Sequence, residues 1–461
     1  MKEFDIIVIG AGAGTKLVTP PSHLGKKVAV FEKETPGGTC LNRGCIPSKM
    51  LIYPTEFLWA SETSSKYPID TKIKPQADFT AISKRVSATV DADSNSIPQA
   101  YEKNPNIEYF PYHARFVSDK VLEANGEKFT AKHIFIVVGT RPKIPAINGL
   151  SQTPYWTSRE ALRNETLPAS MIVIGAGFIS LELGAAYQAY GCDVVGLTRT
   201  DILREVDQEI RLEFESHLPF PLHSHFTIQS VTYVNQLFTV SGTKSDGSKA
   251  VFSAEKLLVA TGITPNTEDL GLENTSVKCN SQGFIQVNEF LETETKGVYA
   301  FGDVIGRYFF RHTANFEGEY LFHHLYSENQ PKPIQYPSVP SAIFTHPQIA
   351  SVGKTEEQLV AEGKAYYKGV NRYSSSAMGM ARLSDTGFVK ILIDKETEKI
   401  LGVHIIGDEA SNLIHQLILA MDLGATLDQM LAMIYIHPAL PEVTRNAFRK
   451  VREMRDQSKG K

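Results

Sequence analysis

The chain of 461 residues carries one pattern twice: residues 5–12 read DIIVIGAG and residues 170–177 read SMIVIGAG. Each copy runs from an apolar stretch through a glycine-rich turn into helix-compatible sequence. A buried strand, a turn with glycines at its first and third positions and a helix N-terminus together aim free backbone N–H groups and the positive helix end at a pyrophosphate. A single Gly-x-Gly serves a tight turn for steric reasons about as often, but two copies behind matched apolar strands predict two dinucleotide sites. At roughly 150 residues per domain the length supports about three domains, so two such units leave room for one more.

The first copy sets Gly10, Gly12 and Gly14 in its turn, and the next strand, KKVAVFEK, ends at Glu32. An acid at that distance meets a ribose diol, the pattern for an adenosine with a free 2′-OH. Thr15 stands where a third glycine is usual, and Pro20 and Pro21 fall where the helix should still be running. Proline inside a helix costs about 3 kcal/mol, so the first helix is expected to be short or kinked. The second copy has Gly175 and Gly177 followed by Ser180, and its next strand, CDVVGLTRT, ends on Thr198 and Arg199 with no acid. An arginine there suits a 2′-phosphate.

Composition excludes several classes. Lys plus Arg number 47 against 51 Asp plus Glu, net −4, which leaves no global positive field for a nucleic acid. No apolar run approaches the roughly 18 residues of a membrane helix, so no membrane partner is expected. The N-terminus carries Glu3 and Asp5 where a signal peptide needs basic residues, and reads as a strand of the mature protein. Four cysteines cannot be a stabilising framework, which points to a reducing cytoplasm where a disulfide is catalytic or redox-sensing.

Composition shifts and the two repeats divide the chain into 1–149, 150–266, 267–335 and 336–461. The stretch NQPKPIQYPSVP at 329–340 interrupts periodic sequence, and beyond it strand-like GFVKILID and ILGVHIIG precede a helical run from Ser411 to Met433. That predicts a third, mixed α/β domain. GFIQVNEF and GVYAFGDV read as short strands that rejoin the first domain, and the basic tail from Arg445 to Lys461 as a solvated helix face.

Cys40 and Cys45 lie in GGTCLNRGCIPSK. They read either as two buried free thiols or as a cycling disulfide; a zinc site is poorly supported, because Cys192 and Cys279 are single and lack paired ligands, and no metal is expected. In an ideal helix, residues five apart have Cα atoms about 8–9 Å apart, beyond the roughly 7 Å limit for bridging, so pairing requires a distorted turn. Such a strained bond is more easily reduced. Lys49, four residues on, is either a plain surface lysine or a cation that favours the thiolate. Near the other end, His437 in YIHPALPEV is held between prolines with Glu442 nearby, an acid/base pair in outline or a structural histidine.

Taken together these segments resemble the pyridine nucleotide-disulfide oxidoreductases, the flavoprotein family that includes dihydrolipoyl dehydrogenase, glutathione reductase, mycothione reductase and mercuric reductase. The resemblance spans nearly the whole chain: GAGAG with Glu32, GGTCLNRGCIPSK, VVGTRP at 137–142, IGAGFISLE at 174–182, ATGITPN at 260–266, GVYAFGDV at 297–304, RHTANFEG at 311–318 and HPALPE at 437–442. It implies an α/β fold with two Rossmann-like dinucleotide-binding domains, for FAD and NAD(P), plus a C-terminal mixed α/β dimerisation domain. The implied FAD contacts are Gly10, Gly12, Gly14, Glu32, Lys33, Gly38, Thr39, Lys49, Ala114, Gly139, Thr140, Ala314 and, at the ribityl chain, Asp303. The implied nicotinamide-nucleotide contacts are Gly175, Gly177, Phe178 as an aromatic gate, Ile179, Thr198, Arg199, Arg204 and Gly262. By the same resemblance Cys45 faces the flavin, Cys40 exchanges with substrate, His437 is the acid/base oriented by Glu442, and Lys49 and Glu182 pair beside the flavin and nicotinamide. The protein would be a homodimer in which each active site takes its histidine from the other subunit.

The subfamily signals divide. CLNRGCIPSK resembles dihydrolipoyl dehydrogenase, which would act in cell redox homeostasis or docked on a 2-oxoacid dehydrogenase complex, whereas SKMLIYPTE, ANFEG and IHPALPEV resemble mycothione reductase. The absence of cysteines after Cys279 removes the mercuric reductase and large thioredoxin reductase readings. Arg199 and Arg204 resemble the arginines that hold a 2′-phosphate in NADPH-using members, while Ile263 replaces the usual arginine of that family's turn; the two arginines tip the cofactor toward NADP over NAD. Two other classes compete with a dithiol/disulfide oxidoreductase: a flavin oxidase or electron-transfer protein with incidental cysteines, and a non-catalytic subunit of a larger assembly.

Overall fold

The computed structural model describes residues 1–69, 75–327 and 332–460. Strand β1 (Lys2–Ile9) leads through a 3₁₀ turn (Ala13–Leu17) into a five-residue helix α1 (Thr19–His23). The expected break is therefore present. Pro20 and Pro21 stand near the start of α1, where a missing N–H costs little, and so the helix restarts at Thr19 rather than running on. Next come β2 (Val28–Phe31), α2 (Gly38–Arg43), α3 (Cys45–Thr63), α4 (Phe79–Glu102), β3 (Ile107–Phe110), β4 (Arg115–Ser118), β5 (Val121–Ala124), β6 (Glu127–Ile136) and β7 (Thr140–Pro142). The sheet runs β3-β2-β1-β6-β5-β4, parallel through β6 and then an antiparallel meander. Ile6, Ile7, Val8 and Ile9 are buried on both faces, as a central parallel strand requires.

The second unit contains α5 (Ser158–Ala161), β8 (Ser170–Ile174), α6 (Phe178–Ala189), β9 (Asp193–Leu197), α7 (Gln208–Glu215), β10 (Leu222–His223), β11 (Thr227–Val234), β12 (Leu237–Thr243), β13 (Lys249–Ala254), β14 (Lys256–Val259) and β15 (Ile263–Pro265). Its parallel sheet runs β10-β9-β8-β14, beside an antiparallel β11-β12-β13 meander, and β15 pairs with β7 of the first unit. The sequence echo extends to the hydrogen bonds. Gly10 N donates to Phe31 O at 2.8 Å and Gly175 N to Leu197 O at 3.1 Å, while Val137 N to Ile9 O and Ala260 N to Ile174 O both measure 2.8 Å. Gly10 and Gly175 have φ of 108° and 147°, and a Cβ would meet Val137 O at 2.4 Å in one turn and Ala260 O at 2.2 Å in the other. Only glycine fits either position.

The chain then returns: β16 (Val298–Ala300) adds in parallel to β6, and α8 (Arg311–Tyr326) packs on the 3₁₀ turn of the first unit. The strand expected at GFIQVNEF does not form. The side chains of Asn280 and Asn288 take the N–H groups of Gln282, Phe284, Phe290 and Glu292, so tight turns replace ladder bonds and one bridge, Cys279 to Ile285, remains.

The last unit contains β17 (Pro340–Ile343), β18 (Ile349–Gly353), α9 (Glu356–Ala361), β19 (Tyr366–Arg372), α10 (Ala377–Ala381), β20 (Phe388–Asp394), β21 (Ile400–Ile406), α11 (Ala410–Leu413), α12 (His415–Asp422), α13 (Leu427–Ala432) and α14 (Pro441–Ser458). Its antiparallel sheet runs β17-β18-β21-β20-β19. The helical run expected from Ser411 to Met433 is three helices, because Gly424 turns left-handed at φ 64° and a Thr426–Gln429 capping box starts α13 afresh. Nor is the basic tail only a solvated face: α14 buries Val443, Thr444, Ala447, Phe448 and Val451 against β19 and β20, and Arg455 pairs with Glu398 and Asp428. Residues 329–331 of the Pro/Gln-rich stretch, with residue 328 before it, lie outside the described residues. Fully buried Lys390 on β20 reaches Asp207, which caps α7, at 2.9 Å and Glu356 at 2.5 Å, tying the second unit to the third.

Candidate active site

The two motif cysteines sit on either side of a helix break. Cys40 lies in α2, Gly44 interrupts with φ −145° and ψ −116°, and Cys45 opens α3. A Cβ at Gly44 would stand 2.9 Å from Thr39 O, so the break depends on glycine. This is the distortion that pairing requires, and the two cysteines are free thiols near enough for the proton of one to bear on the other. Buried Asn42 shapes the loop from inside, its Nδ2 donating to the carbonyls of Thr35, Pro36 and Gly38 at 2.8–3.2 Å. Sequence reading missed it, although a polar residue between the cysteines was the available signal.

The shared proton divides the sulfurs electrically. The hydrogen bond from Cys40, helped by the charges of Lys49 and Arg311, outweighs burial and lowers Cys45 to about 7. The same bond, with burial, pushes Cys40 up. At neutral pH Cys45 therefore carries a substantial thiolate fraction, while Cys40 stays a protonated thiol. Lys49, one turn along α3, bonds Glu182 of α6 at 2.7 Å. Glu182 is 4% exposed, and its other oxygen accepts the N–H of Phe344 at 2.8 Å, whose ring lies 4.4 Å from the Lys49 ammonium. Three units of the chain meet at this pair. Phe344 carried no sequence signal, being remote from every motif.

His437 and Glu442 are also brought together, with Nδ1 to Oε2 at 2.9 Å. Glu442 is buried at the start of α14, and its second oxygen takes Arg445 at 2.5 Å. Burial alone would raise this carboxyl, but the hydrogen bonds from His437 and the Ala439 N–H hold it below the usual range. His437 itself is exposed, in a loop where Ile434 and Ile436 are 96% and 77% exposed. Among the described residues no hydrogen bond or ion pair joins His437 to Cys40, Cys45, Lys49 or Glu182 of the same chain.

In the first glycine turn, Glu32 sits at the end of β2 and accepts the Ala11 N–H at 2.9 Å. Gly14, rather than the residue at Thr15, provides the close helix–strand packing, since a Cβ there would meet Val8 at 2.6 Å. Gly38 packs on Gly12, its added Cβ falling 2.8 Å from Gly12 Cα, while Lys33 and Thr39 are exposed beside this contact. Thr140 Oγ1 donates to Asp303 Oδ2 at 3.1 Å, and burial raises the Asp303 carboxyl. Ala114 and Ala314 are buried. Gly139, Gly177 and Gly262 have open space where a side chain would begin, so a ligand can approach the backbone there.

At the second turn Ser180 is buried and donates to Gly177 O at 2.6 Å, Phe178 is exposed, and Ile179 is half-buried. Thr198 occupies the counterpart of Glu32, its hydroxyl spent on Thr200 O at 3.1 Å. Arg199 and Arg204 are exposed, and neither has a hydrogen bond or ion pair among the described residues. The nearby acid, Asp201, is held by Arg211 at 3.0 Å and His225 at 2.9 Å. No helix among the described residues is long and apolar enough to cross a membrane.

The chain matches the family model for pyridine nucleotide-disulphide oxidoreductases over residues 4–318 and the dimerisation domain of that family over 339–448. It is 34% identical over 462 residues to the mycothione reductase of Mycobacterium tuberculosis, covering 97% of this chain and 99% of the other. With the dihydrolipoyl dehydrogenase of Bacillus subtilis it shares 32% identity over 462 residues, covering 95% and 96%. The HOCl-induced flavoprotein disulfide reductase RclA from Escherichia coli has the same fold, with a TM-score of 0.86 at 24% identity over 97% of this chain and 99% of that one. With its two glycine-rich units and its dimerisation domain, the chain belongs to the pyridine nucleotide-disulfide oxidoreductases, FAD-dependent enzymes that work with a pyridine nucleotide.

Proposed function

We propose that the protein is a homodimeric, NADPH-dependent reductase that converts a low-molecular-weight disulfide into two thiols in a reducing cytoplasm. The observation that carries this reading is the Cys40–Cys45 pair, two free thiols on either side of a glycine-dependent helix break with a lysine one turn away. Glu32, Asp303 with Thr140, and the open backbone at Gly139 fit FAD at the first turn, the acid suiting its ribose diol. Bound there, FAD supplies two-electron chemistry between nicotinamide and disulfide.

The chain's own residues do the sulfur chemistry. The partner subunit's His437 takes the proton of Cys40, which is needed because that thiol is pushed up. Cys40 attacks one substrate sulfur, the substrate S–S bond breaks, and the leaving thiolate receives a proton from the same imidazolium. Cys45, in substantial part thiolate, attacks the Cys40 sulfur of the mixed disulfide, releasing the second thiolate, which takes up a proton, and closing the Cys40–Cys45 bond. Two electrons and two protons pass to the substrate while the cysteine pair is oxidised. Glu442 fixes the orientation of the imidazole through its Nδ1. The exposed apolar loop around His437 matches the need for a second copy to cover it.

A dihydrolipoyl dehydrogenase, working on NAD and docked to a 2-oxoacid dehydrogenase complex, is the second reading; Ile263, which puts no cation beside the open Gly262 turn, favours it. Paired steady-state assays decide: NADPH with a panel of small disulfides, and NAD⁺ with dihydrolipoamide. Preferential NADPH use with little lipoamide turnover supports the proposal, and fast NAD⁺ reduction replaces it with the second reading. Loss of turnover with retained flavin in Cys45→Ser excludes an oxidase with incidental cysteines.

A further inference from the structure

Lys390 stands in β20, where every side chain from Phe388 to Asp394 is buried, and is itself fully buried. A buried ammonium must be paired, and three carboxylates surround it: Asp207 at 2.9 Å and Glu209 at 2.7 Å from the start of α7 in the second unit, and Glu356 at 2.5 Å from α9 in the last. Asp207 is fully buried as well, and both of its oxygens are committed. Oδ1 accepts from Lys390 and from the Glu209 N–H at the start of α7, while Oδ2 accepts the Glu356 N–H that opens α9 at 3.1 Å. Replacing such a buried ionic cluster with apolar side chains is often neutral or stabilising, so stability alone does not account for it.

Asp207 also ends the segment that carries Arg199 and Arg204. That segment is tied down at its start, its middle and its end. At the start Thr198 N donates to His223 O at 3.0 Å and Thr198 O accepts from Phe226 N at 2.9 Å. In the middle Leu203, at φ 46°, donates its N–H to Ala176 O of the second glycine turn at 2.9 Å. At the end stands Asp207. Arg199 follows the first tie directly, whereas Arg204 lies between the second and the last. The first two ties are made within the second unit, but the last is made to Lys390 and to the N–H of Glu356, both from the dimerisation domain. We propose that Lys390 is a positioning residue for pyridine-nucleotide binding, which acts through Asp207 to hold Arg204 for a 2′-phosphate. Two other cations of the last unit dock on α7, Arg372 on Glu213 at 3.1 Å and Lys368 on Glu209 at 3.3 Å. Both are partly exposed, and neither is bonded to Asp207 among the described residues, so the end of the segment depends on Lys390.

This inference rests on the reading of Arg204 as a 2′-phosphate contact, and the test separates the two. In the flavin-loaded dimer, calorimetry measures the Kd of adenosine 2′,5′-bisphosphate and of adenosine 5′-monophosphate, which differ only in the 2′-phosphate. Lys390→Met should weaken the bisphosphate about tenfold, as for one lost charge-assisted contact, and leave the monophosphate within about twofold. That loss should persist beside Arg199→Ala and shrink below about twofold beside Arg204→Ala, since a residue acting through Arg204 has nothing left to position. Equal weakening of both nucleotides, no weakening, or a loss undiminished by Arg204→Ala overturns the proposal. If Lys390→Met does not yield a flavin-loaded dimer, Asp207→Asn is measured by the same criteria, because asparagine still caps α7 but cannot also accept from Lys390 and the Glu356 N–H as the carboxylate does. Equal binding of the two nucleotides by the unaltered protein refutes the 2′-phosphate reading instead. Amide exchange across residues 199–206 then decides the positioning of Arg204: exchange about tenfold faster in Lys390→Met supports it, and unchanged exchange overturns it.

Discussion

On the proposed reading nucleotide choice hangs on the end of β9, and replacing Arg199 with alanine tests it. Arg199 and Arg204 are exposed with no partner among the described residues, and the adjacent acid is already occupied by Arg211 and His225. Removing Arg199 therefore strands no buried charge, and the loss is that of one charge-assisted contact to phosphate. Such a contact contributes about 1.5–3 kcal/mol, and solvent screening at an exposed arginine favours the lower end, about 1.5–2 kcal/mol. At roughly 1.4 kcal/mol per factor of ten, kcat/KM for NADPH should fall about 10- to 30-fold. NADH has no 2′-phosphate, so its kcat/KM should stay within about twofold. Both are read from initial rates of nicotinamide oxidation at fixed disulfide, repeated at raised salt, where the NADPH advantage should shrink. Equal losses with both nucleotides, or an NADH preference in the unaltered protein, would refute the assignment of these arginines.

Other perturbations probe the rest of the site. Lys49→Met leaves Glu182 buried without its cation; since Lys49 is partly exposed, the destabilisation should be about 2–3 kcal/mol in urea unfolding, below the full cost of breaking a buried pair, and Glu182→Gln should cost less. Near-identical midpoints for all three proteins would sink that account. Glu442→Gln should retain flavin yet lower disulfide turnover about 10- to 100-fold, because the imidazole loses the carboxylate that orients it. Since Glu442 is held below its ordinary value in the folded chain, its stabilising contribution is complete above the unfolded carboxylate range and disappears as pH falls through the depressed folded value. Melting temperature followed from neutral to acid pH should therefore fall less steeply in Glu442→Gln. Gly10→Ala should abolish flavin retention, whereas Gly175→Ala should keep flavin and lose nicotinamide binding, because each added methyl meets a carbonyl just beyond a neighbouring strand of its own sheet, Val137 O after β6 or Ala260 O after β14. Loss of flavin in both would mean that the two turns do not serve separate ligands.

How much of this was legible in the sequence depends on the range of the interaction. The twin glycine turns were readable because part of their constraint is written at the residue itself: the positive φ of Gly10 and Gly175 suits glycine, although the carbonyls a Cβ would meet, those of Val137 and Ala260, come from distant strands. The cysteine break was readable for the same reason, as was the His437–Glu442 pair, whose partners are five residues apart. Phe344 escaped notice because nothing around it in sequence points to the site. It reaches Glu182 and Lys49 only through the packing of the last unit against the first two, which leaves no periodic trace in the sequence around it. GFIQVNEF failed in the opposite direction: its alternation is that of a strand, but Asn280 and Asn288 offer the backbone nearer partners than any neighbouring strand, and local side-chain acceptors win over a ladder that would have to be built at long range. The same contrast bears on function. Chemistry carried by neighbours in sequence specifies the reaction class, while substrate choice belongs to surfaces assembled from α3, the His437 loop and a second copy of the chain. Those surfaces share no spacing that a single sequence could display, so the disulfide must be found by assay of the dimer.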